Sequence, residues 1–107
     1  MLLHEVTFRP RELTDDGYAE LTAQVAPSVA ELPGLILKIW TGSDAEGRFG
    51  GVYLWRDREA MVGYVTSELF QTVAAFPHFA DIATRDFAVH EDLTRVTQPG
   101  LPVLAVA

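Results

Sequence analysis

No cysteine occurs among the 107 residues, which removes disulfides, thiolate nucleophiles and Cys-based zinc or iron–sulfur sites at once. That absence suits a reducing compartment, and the sequence predicts a cytoplasmic location. Basic residues are also scarce: eight Lys and Arg stand against fifteen Asp and Glu, for a net charge of −7. Lys38 is the only lysine, and Arg9, Arg11, Arg48, Arg56, Arg58, Arg85 and Arg95 are scattered among carboxylates. With no basic cluster to neutralise a phosphate backbone, nucleic acid is excluded as a partner. Long hydrophobic runs are missing too. The opening MLLHEVTFRP lacks the basic and apolar regions of a signal peptide, and no stretch approaches the roughly 20 apolar residues that span a bilayer. A soluble protein without a membrane partner is expected. His4, His78 and His90 form no HxH or HExxH pattern, so there is no metal signal.

What is present is a hydrophobic content of 49%, enough for one domain with a real core and too small a chain for two. The domain is expected over residues 1–98, followed by an apolar, proline-containing strap over 99–107. Leu3 to Arg9 alternates as a strand, and Pro10 to Asp16 reads as a loop leading to a helix cap. A helix should start near Asp15 or Asp16, with Leu21, Val25, Val29 and Leu32 at helical spacing, Pro27 as an interior kink or interruption, and Pro33-Gly34 as its end. Leu35 to Thr41 and Val52 to Trp55 are strand-like runs around a Gly-rich turn. An antiparallel register sets Lys38 opposite Tyr53 and Leu37 opposite Leu54. Asp57 can cap a second helix reaching roughly Phe70 to Ala75, and a last strand fits Ile82 to His90. The order β-α-β-β-α-β, with right-handed crossovers, predicts a ferredoxin-like α+β sandwich with the first and third strands central and the helices on one sheet face. The uncovered face argues for a homodimer.

Two glycine patterns lead nowhere. Gly42 to Arg48 imitates P-loop spacing, but Arg48-Phe49 replaces Lys-Ser/Thr and a strand follows, so this is a hairpin turn. Gly50-Gly51 is a close-approach or bulge device that leaves room above Trp40.

The segments PGLILKIWT, GGVYLWRD and RDFAVHEDLT resemble the YdhR-like mono-oxygenase family across about residues 1–96. The sharpest matches are Pro33-Gly34, Lys38, Trp40-Thr41, Gly50-Gly51, Tyr53-Leu54 and Asp57. The resemblance implies a dimeric α+β barrel, related to cofactor-independent antibiotic-biosynthesis mono-oxygenases, haem-degrading enzymes and small-molecule isomerases. The activity it implies is cofactor-independent oxygenation of an aromatic or polyketide-like small molecule, with no cofactor and no metal. Isomerase or cyclase chemistry, haem binding or degradation, and non-catalytic binding of a small molecule are the alternatives.

In that reading Glu5, Lys38, Tyr53 and Asp86 project from one sheet face, with Trp40 and Trp55 as aromatic walls. Oxygenation without a cofactor needs an electron-rich substrate deprotonated so that its anion can pass an electron to oxygen. Trp40 and Tyr53 would position the substrate, Lys38 would stabilise the oxyanion, His78 or Glu5 would take a proton, and Trp55 and Asp86 would complete the binding surface. His78 lies in FPHF, where related mono-oxygenases often carry a histidine. The plain alternatives are a Lys38–Glu5 ion pair in the sheet, aromatic residues that only pack, and Tyr64 as core with a satisfied hydroxyl.

Overall fold

The computed structural model describes residues 1–43 and 45–98; the strap expected over 99–107 lies outside them. Strand β1 (Leu2–Pro10) leads to helix α1 (Asp15–Ala30), then to β2 (Leu35–Ser43) and β3 (Arg48–Trp55). Two short helices follow, α2 (Arg58–Val65) and α3 (Glu68–Ala74), then β4 (Phe79–Ala88) and α4 (Glu91–Thr97). The four strands form one antiparallel sheet in the order β2-β3-β1-β4, so the first and third strands are central as expected. This is the ferredoxin-like α+β fold. No helix among the described residues is long and apolar enough to cross a membrane.

Local chemistry explains the boundaries. Thr14 caps α1 by accepting from the Gly17 amide at 3.0 Å, and Asp15 and Asp16 sit in the first turn, where acidic groups favour the helix dipole. The helix runs through Pro27 to Ala30 without interruption. Gly34 then takes φ +77°, and a side chain there would collide with Ala60 of α2, so only glycine serves both the turn and the helix contact.

The single second helix expected after Asp57 is two. Asp57 caps α2 through the Ala60 amide, but Ser67 accepts from Phe70 N and donates to the Tyr64 carbonyl, starting a new helix in place of continuing the old one. Such hydroxyl side chains compete with the helical backbone for its own groups. The last strand lies three residues earlier than expected at its start, Phe79, and ends at Ala88; His90 instead precedes α4, which the sequence reading had not anticipated.

The core lies between the sheet and the helices. Leu2, Val29, Tyr53, Trp55, Met61 and Tyr64 are its buried members, with Trp55 wholly inaccessible. Tyr53 stacks on Trp55 at 5.5 Å and 8°, and Tyr64 packs against both rings, giving a rigid aromatic floor on which α2 rests.

Candidate functional site

Register decides which side chains meet. Lys38, Tyr53, His4 and Asp86 are successive cross-strand partners from one sheet edge to the other, so all four face the helices. They end in different environments. Lys38 and Tyr53 line a cavity of about 280 Å³ that lies between the sheet, α1, α2 and α3 and opens at one side. His4 is buried behind them, its Nδ1 accepting from Trp55 Nε1 at 3.3 Å, so the neutral ring carries its proton on Nε2. Burial lowers the His4 pKa, with Asp86 opposing the shift. Asp86 itself is taken by Arg58 at 3.1 Å and does not reach the cavity.

The cavity is walled by aliphatic and aromatic groups, among them Phe8, Leu21, Val25, Phe70, Phe76 and Phe79. Its few polar groups are mostly committed. Thr22 and Thr72 bond back to helix carbonyls, and the hydroxyls of Tyr53 and Tyr64 bond each other at 3.0 Å. Burial, with the neighbouring Tyr64, pushes the Tyr53 pKa well above its usual value, so this phenol stays neutral. Tyr64 therefore has the satisfied hydroxyl that the sequence suggested.

Lys38 is the exception. Its Nζ lies 3.4 Å from the centroid of the Trp40 ring and 4.6 Å from that of Tyr53. Among the described residues no carboxylate comes within ion-pair distance of it. Desolvation pulls its pKa from 10.5 to about 8. The ammonium is held by aromatic faces alone, which favour a cation but cannot neutralise it. Gly51, opposite Trp40, makes room: a Cβ there would stand 2.5 Å from Lys38 Cε. Trp40 lines the cavity while remaining 40% exposed, which puts it at the rim.

Besides Asp86, three expected site residues do not join this group. Glu5 pairs across the sheet with Val52 and Arg85, which places it on the outer face, where Arg85 binds its carboxylate at 3.0 Å and 3.1 Å. A Lys38–Glu5 ion pair is impossible for the same reason. Trp55 is on the inward face but sealed in the core, so it supports the site from behind and is not a wall of it. His78 does not line the cavity; its Nδ1 bonds the Arg11 carbonyl at 2.7 Å while its own carbonyl accepts from Arg11 N. With Nδ1 donating, the histidine fastens the loop after α3 to the loop after β1.

Tyr18, outside the expected set, lines the cavity from α1 with its hydroxyl unpartnered among the described residues and its pKa raised by burial. Its signal was the helical spacing with Leu21, Val25 and Val29. Among the described residues, no three His, Asp or Glu side chains gather as metal ligands.

The same fold recurs in solved structures of low sequence identity. SnoaB, a cofactor-independent oxygenase from Streptomyces nogalater, superposes with a TM-score of 0.66 at 13% identity, over 83% of this chain and 92% of that one. MhuD, a haem degrader from Mycobacterium tuberculosis solved with two haems in its active site, gives 0.68 at 17% identity over 84% and 96%. An antibiotic biosynthesis monooxygenase from Deinococcus radiodurans, itself described as putative, gives 0.67 at 16% over 83% and 92%. No curated protein matches in sequence. A family model described as "Putative mono-oxygenase ydhR" matches residues 3–99, nearly the whole length over which the strands and helices have been traced, and the chain belongs to that family.

Proposed function

We propose that the protein is a cofactor-independent mono-oxygenase acting on a flat aromatic or polyketide-like small molecule. The observation that carries this reading is a lone ammonium, Lys38, facing an apolar, aromatic-lined cavity with no counter-ion of its own. A bound phenolate or enolate would supply the missing charge, and against such apolar walls the attraction is worth more than in water. Trp40 and Tyr53 would hold the substrate plane. Among the described residues no carboxylate or histidine lines the cavity, so the substrate would enter ionised or lose its proton to solvent as Lys38 lowers its pKa. The anion would then reduce oxygen; one oxygen atom enters the product, the other leaves as water, and the electrons come from the oxidised substrate carbon.

The residues present do not fit a haem equally well. Haem iron is held by an axial side chain; His78 faces Arg11, His4 is engaged with Trp55, and neither lines the cavity. We further propose a homodimer through the outer sheet face, where Ile39 is 57% and Phe87 46% exposed, a pattern that favours burial against a second copy. Phe87→Glu should convert the dimer to monomer in light-scattering measurements, and an unchanged mass would remove this interface.

The test is oxygen uptake by chelator-treated protein over a panel of hydroquinones and anthrones, with heat-inactivated protein subtracting autoxidation. Uptake of one oxygen molecule per substrate with a quinone or hydroxyquinone product is expected. Binding without uptake would move the reading to an isomerase, a cyclase or a non-catalytic carrier.

A further inference from the structure

Lys38 has a second chemistry that does not depend on oxygen. Three features meet at its nitrogen. The side chain ends inside a cavity whose walls are almost entirely apolar. Gly51 clears the space beside its stem, and the aromatic faces of Trp40 and Tyr53 flank the nitrogen. The other titratable groups facing the cavity are Tyr18 from α1, Tyr53 from β3 and Tyr64 from α2, and burial raises all three pKa values. None of them carries charge near neutrality, and among the described residues no carboxylate is there to hold the ammonium form.

A lysine desolvated in this way is an activated nucleophile. With a pKa of about 8, about a tenth of the nitrogen is neutral at pH 7, against roughly one part in three thousand for an unperturbed lysine. Apolar walls that hold a carbonyl compound beside the amine also favour condensation.

We propose that Lys38 Nζ is a carbonyl-reactive amine that captures a flat aromatic aldehyde or ketone in the cavity as a covalent imine. The nitrogen lone pair forms a bond to the carbonyl carbon, and the carbonyl π pair moves to oxygen. Both amine protons pass to that oxygen, which departs as water and leaves a C=N bond. No oxidant or reductant takes part. The aromatic ring of the ligand lies against Trp40 and Tyr53, and the cavity of about 280 Å³ has room for a fused ring system.

The chain makes the test clean, since Lys38 is its only lysine and the competing α-amine of Met1 is held by Glu91 at 3.1 Å. Intact protein is incubated without oxygen at pH 8 with 2-naphthaldehyde and cyanoborohydride, which reduces any imine to a stable secondary amine, and the adduct is located by peptide mass mapping. Labelling of Lys38 is expected at least tenfold faster than that of Met1 or of free Nα-acetyl-lysine. Naphthalene, which fills the cavity without a carbonyl, should slow Lys38 labelling at least fivefold and leave Met1 untouched. Lys38→Arg should remove the fast adduct. Labelling confined to Met1, a Lys38 rate no higher than that of free lysine, or no protection by naphthalene would each overturn the proposal, and the last two need no variant to fold.

Discussion

The two faces of the sheet treat charge in opposite ways. On the outer face Glu5 meets Arg85 directly across the β1–β4 ladder, and the pair forms two hydrogen bonds to one carboxylate oxygen. On the inner face Lys38, one strand further from the centre, has only ring faces around it. A pair of this kind has its charges already matched and offers nothing to a ligand. A desolvated, unpaired cation costs stability while the protein is empty and becomes an asset when an anion arrives. The contrast teaches where to look for chemistry in this molecule: at the charge the fold leaves uncompensated.

The strongest way to break the contrast is Lys38→Met. Oxygen uptake should fall at least about a hundredfold, the scale of removing a transition-state charge partner. Stability at pH 7 should rise by about 1–3 kcal/mol, since a shift from 10.5 to about 8 is worth about 3 kcal/mol and the cation–π contact offsets part of it. The pH dependence has a definite sign. Between about pH 8 and pH 10.5 the unfolded lysine holds a proton that the folded one has released, so Lys38 adds stability as pH rises across that window. The raised pKa values of buried Tyr18, Tyr53 and Tyr64 act the opposite way near pH 10 in both proteins, so the lysine slope is read as wild type minus variant. Urea denaturation at pH 7, 8, 9 and 10 checks both statements.

Gly51→Ala sharpens the comparison without touching the charge. The new methyl meets Lys38 Cε, the far part of a flexible chain, so the fold should survive while the nitrogen is displaced. A drop of about tenfold in kcat/KM is expected, and an unchanged value would mean that the position of Lys38 does not matter. Tyr64→Phe should cost about 1–3 kcal/mol by leaving the buried Tyr53 hydroxyl without its partner, measured as a lower denaturation midpoint at constant slope. The smallest effect belongs to the outer face. Glu5→Gln should leave oxygen uptake within about twofold of wild type, and a large loss would restore Glu5 as a base despite its position.

Much of the fold was legible because it is local. The β2–β3 hairpin register follows from a short turn, so Lys38 opposite Tyr53 and Leu37 opposite Leu54 could be written from sequence, and both pairs are present. The register of β1 against β3 is not local: a helix and another strand separate them, and a slip of one residue exchanges the faces. That is why Glu5 was expected beside Tyr53, where His4 stands. His4 sits mid-row beneath the helices, between Tyr53 and Asp86. His78 was chosen for residue type within a loop, and loop geometry turned it toward Arg11. Helix α4 gave no amphipathic signal because Leu93 and Val96 remain 70% and 78% exposed.

Trp40 and Trp55 occupy opposite optical environments, one at the cavity rim and one fully enclosed. The molecule thus carries two intrinsic fluorophores with separate assignments: short-wavelength emission from Trp55 reports whether the aromatic floor is intact, and the red-shifted component from Trp40 reports occupancy of the cavity. Because the Lys38 nitrogen lies 3.4 Å from the Trp40 ring centre, its loss of a proton near pH 8 should be visible in that second component alone, making the protein its own indicator dye.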